Sequence, residues 1–133
     1  MDRRPYDVVL VDDHEHLRRL VAAWLLEDDR FRLVGEAGDG PEAVDVITER
    51  QPDAVLLDIR MPTMSGNVVL QYVRRRSPRS AVVVLTADEA LAGDARRAGA
   101  DGVFLKPSSF DAVLDALADA VERRRRRGDQ AAS

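Results

Sequence analysis

The chain has 133 residues, a formal net charge of −4, no cysteine and few aromatic residues. This length suits one domain with its own aliphatic core, and the lack of cysteine excludes disulfides and thiolate metal sites. The negative charge argues against direct nucleic-acid binding by this domain. No stretch resembles a signal peptide or could span a bilayer, so we expect a cytoplasmic protein that does not bind membranes.

Five short apolar runs predict the strands of a parallel sheet. Four of them are continuous rather than alternating, as in strands that helices bury on both faces. The second run alternates more and predicts an edge strand. In chain order the runs are Tyr6–Val11, Phe31–Glu36, Ala54–Leu57, Ala81–Leu85 and Gly102–Leu105.

Apolar residues at helical spacing lie between and after these runs. The stripes are Leu17, Leu20, Val21, Trp24 and Leu25; Ala43, Val44 and Ile47; Val68, Val69, Tyr72 and Val73; and Phe110, Val113, Leu114, Leu117 and Val121. Asp88–Ala98 predicts a weaker helix because Gly93 interrupts it. The strict alternation of strands and helices predicts an α/β domain wound by right-handed crossovers.

The C-terminal segment differs from the rest of the chain in composition. Five consecutive arginines, Arg123–Arg127, precede a polar GDQAAS end. A basic run at a helix C-terminus is favoured by the helix dipole and is usually solvated. We therefore expect one domain over residues 5–122 and a basic, disordered tail over residues 123–133, with at most a minor role in partner binding.

Polar side chains follow four of the predicted strands. Asp12 and Asp13 follow the first, Asp58 the third, Thr86 ends the fourth, and Lys106, the sole lysine, follows the fifth. Ligands of open α/β sheets bind at the carboxyl ends of the strands, so we expect these side chains to lie together. Each residue alone is more often a turn or strand residue, whereas their conjunction indicates a site.

A cluster of three carboxylates is costly unless something binds it. Two carboxylates about 4 Å apart repel by roughly 4 kcal/mol at an effective dielectric of 20. A divalent cation removes that cost, and hard oxygen ligands suit Mg²⁺. The nearby His14 and His16 lack a further His or Cys and are interpreted as exposed polar residues.

With these residues in place, the sequence resembles the receiver domains of bacterial two-component response regulators. The matching motifs are the pair Asp12-Asp13, the stretch DIRMPTMSG from Asp58 to Gly66, Thr86-Ala87 and Lys106-Pro107. The resemblance runs from Tyr6 to about Val121. It implies a flavodoxin-like receiver fold, a doubly wound five-stranded parallel sheet with strand order 2-1-3-4-5. The segments VDDHEHLRR and VGEAGDG resemble receivers that usually precede a helix-turn-helix output domain.

The resemblance also implies a role for each site residue. Asp58 would accept a phosphoryl group from a sensor histidine kinase, with Lys106 and Thr86 contacting that group. Mg²⁺ would be bound by Asp13, Asp58, the backbone carbonyl of Arg60 and, through water, Asp12. Such a domain is not a turnover enzyme, since it catalyses only its own phosphorylation and slow dephosphorylation. Its phosphorylated form would control a downstream protein or a fused output domain, or would pair with a second copy.

Three features depart from the usual receiver pattern. Val103 stands where a rotating aromatic residue is common, and the adjacent Phe104 should point to the other face of the sheet. The segment between Thr86 and Lys106 is about two residues short, around the fourth helix. Arg60 and Asp88 would flank the phosphoryl group, and we hypothesise that they pair over it and slow attack by water.

Two alternatives remain open from the sequence. The chain could be the receiver part of a DNA-binding transcription regulator rather than a stand-alone domain. It could also be a Mg²⁺-dependent phosphohydrolase with an aspartyl nucleophile. Those enzymes usually place the nucleophile after the first strand with a second Asp two residues later, whereas Asp58 follows the third predicted strand.

Overall fold

Strands and helices alternate through the chain, as predicted. The computed structural model describes residues 4–58, 64–105 and 109–132, with side chains of the last helix described through residue 128. The strands are Tyr6–Val11 (β1), Phe31–Ala37 (β2), Ala54–Asp58 (β3), Ala81–Thr86 (β4) and Gly102–Leu105 (β5). The helices are Glu15–Glu27 (α1), Gly40–Arg50 (α2), Gly66–Arg76 (α3), Glu89–Arg97 (α4) and Phe110–Ala132 (α5).

The five strands form one parallel sheet in the order β2-β1-β3-β4-β5. This order confirms the doubly wound, flavodoxin-like fold, and it places β2 at an edge as its alternating pattern predicts. Every residue of the central strand β3 is buried, because helices cover both faces of the sheet. The carboxyl ends of β1 and β4 therefore lie on either side of the carboxyl end of β3.

Alternate strand residues contribute to two apolar cores on opposite faces of the sheet. In β1, Val8 and Leu10 pack in the core formed with α1 and α5. Val9 and Val11 pack in the core formed with α2, α3 and α4. These continuous apolar strands are buried on both sides, which is the physical reason that they do not alternate in sequence.

The predicted stripe on α1 is only partly buried. Val21 and Leu25 are buried in the core, together with Ala22, which the stripe does not include. Two other members of the stripe, Leu20 and Trp24, are 47% and 40% exposed. The reason is tertiary: Trp24 lies at the edge of a gap between α1 and α5.

The last helix continues beyond the point where the sequence predicts that it frays. α5 runs from Phe110 to Ala132, so most of the predicted disordered tail is helical here. Arg124 binds Asp101, and Arg125 binds Asp53 at 3.1 Å. The boundary between a domain and a tail stays a prediction. Among the described helices, none combines the length and apolar content needed to cross a bilayer.

Candidate functional site

An acidic pocket forms where β1 and β3 end side by side. The last residue of β1, Val11, pairs with Leu57, so Asp12 and Asp58 emerge from neighbouring strands. Ligand atoms of Asp12, Asp13, His14 and Asp58 all lie within 4.8 Å of one another. Asp12 and Asp58 are only 5% and 7% exposed. The structure thus brings together the three carboxylates that the sequence places at this edge.

Backbone and side-chain hydrogen bonds fix the loop that carries Asp12 and Asp13. The amide of Asp12 donates to the carbonyl of Ala37 at 3.1 Å. The Asp12 Oδ1 accepts from the amide of His14 at 2.8 Å, and Arg18 Nη1 donates to the Asp12 carbonyl at 2.7 Å. These bonds hold the acidic pair in place against its own repulsion.

The donor atoms of the pocket fit a hard divalent cation. Asp13 Oδ1 is buried and accepts no hydrogen bond from the described residues, and its ionic neighbour is the ring of His14, whose Nδ1 lies 3.2 Å away. Such a buried, unsatisfied acceptor is costly unless a cation or water meets it. Carboxylate oxygens from three residues match the preference of Mg²⁺ for oxygen ligands.

His14 lies beside the acidic pair, a place that its sequence position alone did not predict. Its Nδ1 lies 3.2 Å from Asp13 Oδ1, although the side chain is 75% exposed. The residue is therefore at the rim of the acidic pocket rather than remote from it. Its position directly after Asp13 was the signal that could have identified it. Among the described residues, His16 is not part of this group.

Thr86 connects the site to the start of α4. The residue is buried at the end of β4, and its Oγ1 accepts a hydrogen bond from the amide of Asp88 at 3.1 Å. Asp88 Oδ1 in turn accepts from the amides of Ala90 and Leu91. Asp88 is thus the N-cap of α4, a role that was not predicted from the sequence.

The structure shows the faces of Val103 and Phe104 and the length of the fourth helix, two features in which the sequence departs from the usual receiver pattern. Val103 packs against the core on the α2–α4 face, whereas Phe104 packs against the core on the α1–α5 face. Phe104 therefore cannot take the position of the missing aromatic residue. The fourth helix is short, with nine residues.

Two of the predicted site residues lie outside the described residues. Lys106 and Arg60 fall in the segments 106–108 and 59–63. Their contacts with Asp58, with the metal and with Asp88 stay predictions.

Comparison with known proteins gives a consistent family. A sequence profile described as the response regulator receiver domain matches residues 8–118. The nitrate/nitrite response regulator protein NarP of Escherichia coli is 37% identical over 115 residues, which cover 85% of this chain and 54% of NarP. The chain thus spans about half the length of that relative.

Two further matches cover nearly the whole length of the protein compared. The chemotaxis protein CheY of Listeria monocytogenes is 34% identical over 117 residues, which cover 86% of this chain and 98% of CheY. The structure of the signal receiver domain of the response regulator NarL from Mycobacterium tuberculosis superposes with a TM-score of 0.83 at 34% identity. That match covers 90% of this chain and 98% of the NarL domain.

Proposed function

The chain belongs to the response regulator receiver domain family of two-component signalling, and from this membership we propose that Asp58 accepts a phosphoryl group from a sensor histidine kinase. The observation that carries the proposal is the convergence of Asp12, Asp13 and Asp58 within 4.8 Å at the carboxyl edge of the sheet. Receiver domains typically transmit a signal rather than turn over a substrate. We propose that this chain also acts as a signalling domain and that it does so in the cytoplasm.

The chemistry is a transfer of one phosphoryl group to the Asp58 carboxylate. An Asp58 oxygen attacks phosphorus, the bond from phosphorus to the histidine nitrogen or acyl oxygen breaks, and an aspartyl phosphate forms. The leaving imidazole keeps the electron pair of the broken bond and takes a proton from solvent. Lys106 would pair with the phosphoryl oxygens, which carry most of the developing charge. Thr86 would donate its hydroxyl hydrogen to one of them.

Asp13 and Asp58 would bind Mg²⁺ directly, with the backbone carbonyl of Arg60, and Asp12 would bind through water. When bound, the ion neutralises charge on the phosphoryl oxygens and orients them for in-line attack. The buried Oδ1 of Asp13, which accepts no hydrogen bond from the described residues and lies among the other carboxylates, supports this assignment. The hydrogen bonds of the Asp12 loop keep the carboxylates directed at one point.

We propose that the signal leaves through α4. The Thr86 hydroxyl can accept from the Asp88 amide and donate to a phosphoryl oxygen at the same time. A shift of Thr86 toward the phosphoryl group would then pull on the N-cap of α4, without an aromatic residue at position 103. The output is a downstream protein, a fused output domain or a second copy of the chain that recognises the changed α4 surface.

Phosphoryl incorporation tests this function. Incubation with Mg²⁺ and acetyl phosphate should add one phosphoryl group to the intact protein by mass spectrometry, and chelation of Mg²⁺ should prevent it. Asp58→Asn should add none, because the amide is not a nucleophile of comparable strength, while Asp53→Asn, which lies outside the site, should react like wild type. Continued release of phosphate far beyond one equivalent would support the phosphohydrolase alternative instead.

Arg60 and Asp88 are proposed to slow dephosphorylation by pairing over the phosphoryl group. Arg60→Ala should therefore shorten the lifetime of the aspartyl phosphate, because water reaches the phosphorus more easily. The lifetime is measured by loss of the added mass after the phosphodonor is removed. An unchanged lifetime contradicts this role, and Arg76→Ala at the end of α3 serves as the matched arginine control.

A further inference from the structure

A basic cavity of about 340 Å³ lies at the amino edge of the sheet, the edge opposite the acidic pocket. Three segments form it: the end of α3, the turn that leads into β5, and the arginine run of α5. The charged side chains that line it are Arg74, Asp101, Arg123, Arg124 and Arg127. Four guanidinium groups thus surround one carboxylate, although the chain as a whole is acidic.

The carboxylate of this cavity is already bound by two of the four arginines. Asp101 Oδ2 lies 2.7 Å from Arg74 Nη2, and Oδ1 lies 2.9 Å from Arg124 Nε. Burial and the charge of Arg124 lower the pKa of Arg74, against the opposing charge of Asp101. Two guanidinium groups share one negative charge, so an excess of positive charge remains between α3 and α5.

Arg123 and Arg127 add to this excess. They stand one turn apart on α5, and both are exposed. Arg123 donates to the backbone carbonyl of Asp101 at 3.4 Å, and neither arginine forms an ion pair with another described residue. Like charges at this helical spacing repel one another. An anion in the cavity would reverse that cost.

The helix dipole does not account for these two arginines. A basic residue is favoured by the dipole only in the last turn of a helix. α5 continues to Ala132, and its last turn contains no basic residue. Arg123 and Arg127 therefore lie inside the helix, where their shared feature is that both face the cavity.

We propose that this cavity binds a small polyphosphate, a molecule that carries two or more linked phosphoryl groups. Guanidinium groups suit such a ligand, because their planar donors bind phosphate oxygens in pairs. Linked phosphoryl groups also balance more positive charge than a single sulfate does. The cavity volume falls within the range of small-molecule sites, about 300–1,000 Å³. This binding goes beyond phosphoryl transfer at Asp58, since the two sites lie at opposite edges of the sheet.

The shape and charge of the domain favour a small ligand over nucleic acid. Nucleic acid is bound by an extended basic face, on which many arginines and lysines contact successive phosphates. Here the chain carries a net charge of −4, and the cavity lies between two helices. A bound polyphosphate would link α5 to α3 and to the turn before β5.

Calorimetric titration with three anions tests the proposal. The buffer is metal-free, because polyphosphates chelate Mg²⁺. Tripolyphosphate and ATP should bind, and sulfate at the same ionic strength should bind at least about tenfold more weakly. Tighter binding of ATP would identify a nucleoside polyphosphate as the ligand, and tighter binding of tripolyphosphate would identify an inorganic one. The amide resonances of Ala100, Asp101 and Arg127 should shift with either.

Paired charge-removal variants locate the site. Arg123→Gln with Arg127→Gln should weaken tripolyphosphate binding at least about tenfold. Both residues are exposed, so the fold and phosphoryl incorporation at Asp58 should be unchanged. Arg19→Gln with Arg126→Gln removes the same charge from exposed residues outside the cavity. This control pair should bind tripolyphosphate like wild type.

Three results would overturn the proposal. Sulfate binding as tight as tripolyphosphate contradicts recognition of linked phosphoryl groups, and an equal loss in both variant pairs contradicts the site. Tighter binding of a short DNA duplex, lost in the cavity pair, would assign the surface to nucleic acid. Phosphorylation of Asp58 without polyphosphate binding rejects this site alone, whereas polyphosphate binding without phosphorylation rejects only the proposed function.

Discussion

Replacing Asp101 with alanine is expected to lower the free energy of unfolding by about 3–5 kcal/mol, because two partly buried guanidinium groups lose their carboxylate partner. The Asp101 side chain is 8% exposed. Its Oδ2 lies 2.7 Å from Arg74 Nη2, and its two oxygens lie 2.9 and 3.0 Å from Arg124 Nε. The amide of Val82 also donates to it at 2.7 Å. One carboxylate therefore joins α3, β4 and α5.

The electrostatics of this cluster explain the size of the effect. Burial lowers the pKa of Arg74, the charge of Asp101 opposes that shift, and the charge of Arg124 adds to it. Without Asp101, burial and the charge of Arg124 would both destabilise the charged form of the Arg74 guanidinium, with no carboxylate to oppose them. The loss compares with a total stability of about 5–15 kcal/mol for a domain.

Urea unfolding measures this prediction against a matched exposed pair. Glu15→Ala removes the partner of Arg19 on α1, where both side chains are more than half exposed, and should cost about 0.3–0.5 kcal/mol. Asp101→Asn should fall between the two, because the amide can still accept from Val82. A loss below about 1 kcal/mol for Asp101→Ala would contradict the buried network.

Asp13→Asn is expected to change stability and metal binding in opposite directions. In metal-free buffer the free energy of unfolding should rise by about 1 kcal/mol, because one of three neighbouring carboxylates loses its charge. The affinity for Mg²⁺ should fall by at least about tenfold, because a charged oxygen ligand becomes a weaker neutral one. Urea unfolding in a chelator and calorimetric titration with Mg²⁺ measure the two effects.

Asp45→Asn provides the control for this prediction. Asp45 is exposed on α2 and is not part of the acidic cluster of the described residues, and the substitution changes net charge by the same amount. It should leave both quantities close to wild type. A gain in the free energy of unfolding together with a loss of Mg²⁺ affinity for Asp13→Asn would show that the carboxylates cluster in order to bind the metal. A loss of stability would show that Asp13 has a structural role instead.

The sheet could be predicted from sequence because its strands are buried on both faces. Their apolar runs are continuous, and the structure extends them by only one polar residue at Asp58 and at Thr86. Those residues still pair with Leu85 and Leu105, so backbone pairing continues past the apolar pattern. The convergence of the three carboxylates followed from the same topology.

Features that depend on packing between helices could not be predicted in the same way. Periodicity places Leu20 and Trp24 on the apolar face of α1 but cannot show that both remain partly exposed. The capping role of Asp88 depends on where α4 begins, which is uncertain by a few residues from sequence alone. The arginine run was predicted to be solvated from the helix dipole, and the contacts of Arg124 with Asp101 and of Arg125 with Asp53 join residues that are distant in sequence.

The most direct test of the central claim is the response of the amide resonances to Mg²⁺ with beryllofluoride, which mimics a bound phosphoryl group. We predict stoichiometric shifts at Asp12, Asp13, Thr86 and the first turn of α4, including Ala90 and Leu91. Asp58→Asn should abolish them. Absence of shifts in the wild-type protein, or shifts that persist in Asp58→Asn, would contradict Asp58 as the phosphoryl acceptor of this domain.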